Sequence, residues 1–166
     1  MKPTIEKKPR IAAAMPAMLK HKGVWSGIYT HLDANGALLD QHRARVECEF
    51  PEVGPFHYVQ RNLFTWSDGR EHRAELPGEL RNGKLWWDTE TFSGCAWETD
   101  HDVILLKLDR KDEPDAYFLE TIVMGDTGMH RARVWQWFKA DRLFQRTLVD
   151  EHFVSSDWSV YEGQEF

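Results

Sequence analysis

Four residues flanking one turn, Tyr29, His31, Asp40 and His42, are of the types that move protons. An imidazole beside a carboxylate is held in one tautomer and tuned as a general acid or base, and a phenol beside an imidazole can give or take a proton. If the chain reverses at Asn35-Gly36 as a two-residue hairpin loop, facing residues sum to 71 in number, which pairs His42 with Tyr29 and His31 with Asp40. Cofactor-free eliminations and isomerisations need little more than such pairs in a dry pocket. The plainer alternative leaves the four groups at a rim, bonded to one another and to water. His130, on a distant strand, would make a third imidazole beside His31 and His42, the minimum for a catalytic zinc. Neither an HxH nor an HxxxH spacing accompanies it, so the reading is metal-free.

The hairpin that positions these groups has two distinguishable faces. Odd positions of its second strand read Arg43, Arg45, Glu47 and Glu49, a charged outer face; even positions read Asp40, His42, Ala44, Val46 and Cys48, an inner one. The pairing then turns Trp25, Gly27, Tyr29 and His31 inward as well. One end of the inner face is apolar (Trp25, Val46, Cys48) and the other polar, so a greasy floor beneath a polar upper cavity is expected.

After residue 22 the chain is a series of alternating segments of about ten residues punctuated by turn chemistry, notably Asn35-Gly36, Asp68-Gly69 and Asn82-Gly83. Strands are expected near 23–32, 37–50, 56–66, 70–77, 84–89, 92–98, 102–109, 116–124, 129–139 and 143–154. Residues 1–22 form a lead-in with a short amphipathic helix, 23–154 the barrel domain, and 155–166 a tail without periodicity. Consecutive hairpins favour an all-β, antiparallel up-and-down barrel of about 8–10 strands, which leaves no open sheet edge. Barrels of that size hold one small ligand.

Later strands add candidates. On the third, the face carrying Tyr58, Gln60 and Asn62 is read as inner, although a two-residue turn at Asp68-Gly69 would then bring Glu71, Arg73 and Glu75 inward unless a bulge intervenes. Glu120, on an otherwise apolar strand, is a candidate buried acid, a surface Glu being the commoner case. His42-Arg-Ala-Arg-Val46 recurs as His130-Arg-Ala-Arg-Val134. By analogy His130, Ala132 and Val134 point in and Arg131 and Arg133 out. Trp135 and Trp137 would then face outward, which calls for a covering element or a homodimer interface. His152 could serve as an axial haem ligand, against the reading of a solvated strand end beside two acids.

Composition removes several classes. The 166 residues fit one domain, and the net charge of −6 with scattered Lys and Arg argues against nucleic acid. Cys48 and Cys95 lack ligand spacing and read as free thiols in a reducing cytoplasm. The run Ile11 to Leu19 resembles a signal peptide's apolar region, but Pro16 breaks it and Lys20-His21-Lys22 stands where a small-residue cleavage site belongs. No stretch reaches the ~20 apolar residues of a membrane-spanning helix. Walker loop, dinucleotide fingerprint, nucleophile elbow and zinc-protease helix are all missing from the sequence.

Gly23-Val24-Trp25-Ser26-Gly27-Ile28-Tyr29, on a first strand after a short helix, resembles the Gly-x-Trp opening of the calycin superfamily, which includes lipocalins, fatty-acid-binding proteins and haem-binding nitrobindins. The resemblance covers residues 20–154 as architecture and only these few as motif. It implies ligand binding inside a barrel, with Trp25 closing the floor under a basic residue of the last strand, here Arg146. The chain departs from secreted lipocalins in lacking a Thr-Asp-Tyr motif and a typical disulfide, and from nitrobindins in having Tyr29 where their third glycine falls. Two functions follow. One is a cofactor-independent lyase or isomerase acting on a small aromatic or unsaturated molecule, with His42, Tyr29, His31 and Asp40 transferring protons. His130, Asn62, Gln60, Tyr58, Trp25, Glu120 and Arg146 would position the substrate. The other is a non-catalytic calycin carrying a hydrophobic ligand or haem.

Overall fold

The computed structural model describes residues 11–161. Ten antiparallel strands close on themselves in the order β1-β10-β9-β8-β7-β6-β5-β4-β3-β2. The strands are β1 (Gly23–Asp33), β2 (Leu38–Glu49), β3 (Tyr58–Thr65), β4 (Glu71–Arg81), β5 (Lys84–Asp88), β6 (Phe92–Glu98), β7 (Ile104–Arg110), β8 (Ala116–Met124), β9 (His130–Lys139) and β10 (Arg142–Ser155). All ten fall where alternation placed them. Closure satisfies the edge groups that a ten-strand open sheet would leave unpaired.

The lead-in is split in two by Pro16, giving single-turn helices α1 (Ile11–Ala14) and α2 (Pro16–Leu19). Ile11, Met15, Ala17 and Met18 are buried and join the barrel core, and the Met18 amide donates to Glu98 Oε1 at 2.6 Å. The two helices therefore plug one end of the barrel, the floor. The opposite end, where the β1–β2, β3–β4 and β9–β10 loops lie, is the mouth. A 3-10 turn, Trp158–Tyr161, begins the expected tail and lies against the outside of β2, with the Arg61 guanidinium 5.1 Å from the Trp158 ring. The remainder of the tail and residues 1–10 lie outside the described residues.

Inside the first hairpin the register is the expected one: Trp25 faces Val46, Gly27 faces Ala44, Tyr29 faces His42 and His31 faces Asp40. The turn that sets it is different. Asp33 and Ala37 close a three-residue loop in which Gly36 takes φ 90°, and Asp33 Oδ1 accepts from the amides of Asn35 and Ala37. Leu32 then faces Leu38, and an irregularity before His31 restores the sum of 71. Gly27 is required at its place, because a Cβ there would stand 1.9 Å from the Asp150 carbonyl oxygen of β10.

The β3 difficulty resolves the same way. Trp66 and Arg70 close a three-residue loop with Gly69 at φ 88°, so Thr65 faces Glu71 and Phe64 faces His72. Even positions meet even positions, and Glu71, Arg73 and Glu75 stay outside while Tyr58, Gln60 and Asn62 line the interior. At Asn82-Gly83 both residues have positive φ (51° and 73°), the two-residue hairpin turn expected there.

Strand β9 is inverted relative to the sequence reading. Arg131 and Arg133 are buried inside the barrel, and His130 and Ala132 are exposed outside. The analogy with β2 failed because arginines are assigned outward by default, whereas here Glu151 of β10 and Glu120 of β8 supply buried counter-charges. Trp135 and Trp137 consequently stack inside against Phe118, at 5.4 and 4.6 Å between ring centres. The exposed aromatics that suggested a homodimer are therefore interior groups.

Candidate functional site

Three layers succeed one another along the barrel axis. At the floor Trp25 is fully buried, its indole N–H donates to the His21 carbonyl at 3.0 Å, and its ring meets Phe153 edge-on at 5.4 Å. The cation over this ring is Arg131 of β9, with its guanidinium carbon 4.5 Å from the ring centre. Arg146, expected in that place, pairs across from Leu32 near the mouth and cannot reach Trp25. Tyr58 is buried at the same end of the barrel and starts a polar ladder up β3: its hydroxyl donates to Gln60 Oε1 at 2.9 Å, and Gln60 Nε2 donates to Asn62 Oδ1 at 2.9 Å.

The middle layer is a closed set of charges. Arg131 donates to Glu151 and Arg133 to Glu120, while Arg133 Nη1 also stands 3.8 Å from Glu151 Oε1. Two cations and two anions balance within the interior. Burial pushes the Glu151 carboxyl up, but Arg131 and Arg133 outweigh it and hold the group below its ordinary value. Tyr29 belongs to this layer through its hydroxyl, which donates to Glu151 Oε1 at 3.2 Å and accepts from Arg133 Nη1 at 3.0 Å. Burial raises its pKa well above the usual phenol range, so it stays protonated.

The mouth gathers Asp40, His42 and His31. Asp40 Oδ2 lies 3.4 Å from His42 Nδ1 and accepts from the Trp66 indole N–H at 2.8 Å. That indole bond is the largest cause holding the Asp40 carboxyl below its ordinary value. The rings of His31 and His42 are 5.1 Å apart. Burial lowers both imidazole pKa values, and both are neutral near neutrality. His31 Nδ1 sits 2.8 Å from Thr147 Oγ1 and 3.1 Å from Gln145 Nε2, and Thr147 Oγ1 accepts from the Trp137 indole at 2.9 Å. Tyr29, Phe64 and Trp66 pack round the His42 ring at 5.3, 5.0 and 4.5 Å. Two polar atoms in this aromatic surround, His42 Nε2 and Trp135 Nε1, are buried with no hydrogen-bond partner among the described residues. Each such atom costs about 1–3 kcal/mol if left unmet.

The structure thus brings His42, His31 and Asp40 together, puts the Tyr29 ring against His42 and turns its hydroxyl away. Asn62 and Gln60 line the wall below, and Glu120 is buried in the charge layer. Trp25 and Tyr58 belong to the floor. His130 and Arg146 do not join the group, and His152, the haem-ligand candidate, is exposed outside, across from His130. Cys48 and Cys95 are free. Sequence reasoning missed Thr147, Trp135 and Trp137; Trp66 lies on the strand face it read as inner. The signal for the two tryptophans was Glu120: an inward acid on β8 requires a cation on the next strand, which turns Arg133 and its odd-numbered neighbours inward.

The architecture defines the class first: a closed ten-strand antiparallel barrel with a polar, aromatic-walled mouth. No protein-family profile matches the chain, and no curated protein sequence matches it. Solved structures do. A protein of unknown function from the DUF3598 family of Nostoc punctiforme superposes with a TM-score of 0.66 at 14% identity, over 82% of this chain and 49% of that one. The chain therefore spans about half the length of that relative. The S-type phycobiliprotein lyase CpeS of Guillardia theta superposes with a TM-score of 0.64 at 11% identity, over 84% of this chain and 92% of the other. Both are likenesses of fold alone.

Proposed function

We propose that the chain binds a small, flat, aromatic or otherwise unsaturated molecule in the mouth of the barrel and moves a proton on it, as a cofactor-independent lyase or isomerase. The observation that carries this reading is the pair of buried atoms without a partner among the described residues, His42 Nε2 and Trp135 Nε1, inside a wall of aromatic rings. Buried polar groups are ordinarily satisfied, and a ligand's oxygen or nitrogen atoms would satisfy these. When His42 gives its Nδ1–H to Asp40, its Nε2 lone pair faces the ligand as a base, the tautomer being fixed by the carboxylate. His31, anchored on Thr147, is the second proton carrier. Tyr29 contributes its ring to the wall. A barrel of the same fold that carries the name of a phycobiliprotein lyase supports a small-molecule role for this architecture. Asp40 at the rim and the interior position of His42 give solvent one side of the proton path and the ligand the other.

The test is proton exchange in D2O. Unsaturated carboxylic acids and aromatic ketones are incubated with wild type and His42→Ala, and deuterium incorporation at carbon is read by mass spectrometry. Exchange by wild type that falls at least ~100-fold in His42→Ala matches the contribution of a general base. Exchange that survives the substitution removes His42 from the chemistry. Saturable binding without exchange would leave the non-catalytic carrier as the function.

A further inference from the structure

We infer that His31, Asp40 and His42 form a binding site for one divalent transition-metal ion of the zinc or cobalt type. One donor atom from each of the three lies within 4.8 Å of the others. Two imidazoles and one carboxylate are the donors of open transition-metal sites, which keep positions for water or a ligand. The geometry is close to closure. Metal–ligand bonds of about 2.0–2.2 Å at tetrahedral angles set neighbouring donors roughly 3.3–3.6 Å apart. His42 Nδ1 and Asp40 Oδ2 already stand 3.4 Å apart, which is also a long distance for a hydrogen bond between them. His31 would ligate through Nε2.

The surroundings have the form of a supporting shell. Metal-bound imidazoles donate their other N–H to a fixed acceptor, and bound carboxylates are themselves hydrogen-bonded. Thr147 Oγ1 stands 2.8 Å from His31 Nδ1, and the Trp66 indole donates to both Asp40 oxygens at 3.1 and 2.8 Å. The second nitrogen of His42, Nε2, is buried and unpartnered. Side chains of Asp40 that are 41% exposed leave a route for the ion from solvent. Ligation through Nε2 places the His31 proton on Nδ1, toward Thr147 Oγ1, and requires the Gln145 amide, whose Nε2 stands 3.1 Å from that Nδ1, to turn its oxygen there instead; the His42 proton then sits on Nε2, facing the pocket. This inference rests on the proposed pocket and not on its cofactor-free proton transfer, which metal binding at His42 Nδ1 would replace. Without metal it presents a lone pair; with Nδ1 on a metal it presents an N–H. The open metal positions would take a carboxylate, phenolate or carbonyl oxygen of the bound molecule.

Chelator-treated protein is titrated with Co2+ and followed by its visible absorption, then competed with Zn2+. The expected result is one equivalent bound by wild type, with affinity falling more than about a hundredfold in His31→Ala, His42→Ala and Asp40→Asn. Thr147→Val, which removes a supporting partner, should cost about ten- to a hundredfold. Asp40→Asn keeps an acceptor for Trp66 and guards against loss of fold, checked by circular dichroism. The outer-face variant His130→Ala/His152→Ala should bind as wild type does. The inference is overturned if wild type takes up no Co2+, or if only the outer-face variant loses it. Aromatic probes are titrated into the metal-free protein in parallel. Probe binding without Co2+ uptake ends the metal site alone, and Co2+ uptake without probe binding ends the small-molecule reading alone.

Discussion

Glu151→Gln removes one charge from the buried layer while keeping its shape. Glu151 accepts from Tyr29 and Arg131 and lies 3.8 Å from Arg133, and its carboxylate is wholly enclosed. At that separation, with an effective dielectric near 20, Arg133 alone interacts with it by about 4 kcal/mol. The amide recovers part of this through its oxygen, but two arginines then share Glu120 in a closed interior. Breaking a buried pair this way costs about 3–5 kcal/mol, a large part of the ~5–15 kcal/mol that holds a domain folded. With a urea m-value of about 2 kcal/mol/M, the midpoint falls by about 1.5–2.5 M at unchanged slope. Adding Arg131→Met restores neutrality, leaving Arg133 with Glu120, and should recover at least half of the loss. The assay is urea unfolding followed by far-ultraviolet circular dichroism. A cost below about 1 kcal/mol, the range of an exposed ion pair, would mean that water reaches the layer and that the mouth has no dry floor.

Two further outcomes follow from the same interior. Burial first, then the charges of Arg131 and Arg133, lowers the His21 pKa to about 2, against about 6.5 in the unfolded chain. Below about pH 6.5 the unfolded state binds the extra proton, so stability is intact above that pH and declines by about 1.4 kcal/mol per unit as pH falls toward the folded pKa. His21→Gln should therefore lose about 1.4 kcal/mol less than wild type between about pH 7.5 and 5.5 in paired urea melts; equal losses would place a charged His21 in the folded state. Gly27→Ala should lower the melting temperature sharply and open the β1–β10 seam to amide exchange, since its Cβ would overlap the Asp150 carbonyl. A variant as stable as wild type would contradict that seam.

What the sequence made legible followed from alternation, and what it hid followed from charge. The inner face of β2 was plain because Arg43, Arg45, Glu47 and Glu49 share one side, and the His42–Tyr29 and His31–Asp40 pairings came with it. The register was right for a partly wrong reason: the loop has three residues, and the irregularity before His31 compensates for the extra one. Strand β9 shows the limit. His130-Arg-Ala-Arg-Val134 carries the same letters as the β2 segment and faces the other way, since a strand's orientation depends on what its neighbours offer. Glu120 and Glu151 make the arginines the inner residues, and that relation crosses strands distant in sequence. Trp25 was placed correctly at the floor, but its cation comes from β9. Nothing local distinguishes Arg131 from Arg146 as that partner.

In the function proposed, the mouth, between His42, Trp66 and Trp135, receives a small molecule. Five of the eight tryptophans serve as reporters from known places: Trp66, Trp135 and Trp137 at the mouth, Trp25 at the floor, and Trp86 against the Arg81 carbonyl outside. The direct measurement is a proton–nitrogen correlation spectrum of the indole N–H groups, titrated with small aromatic and unsaturated acids. At least one compound should shift Trp66 and Trp135 together and saturably while Trp25 and Trp86 stay in place. Shifts confined to Trp86, or no saturable shift at Trp66 and Trp135 with any compound, would contradict it.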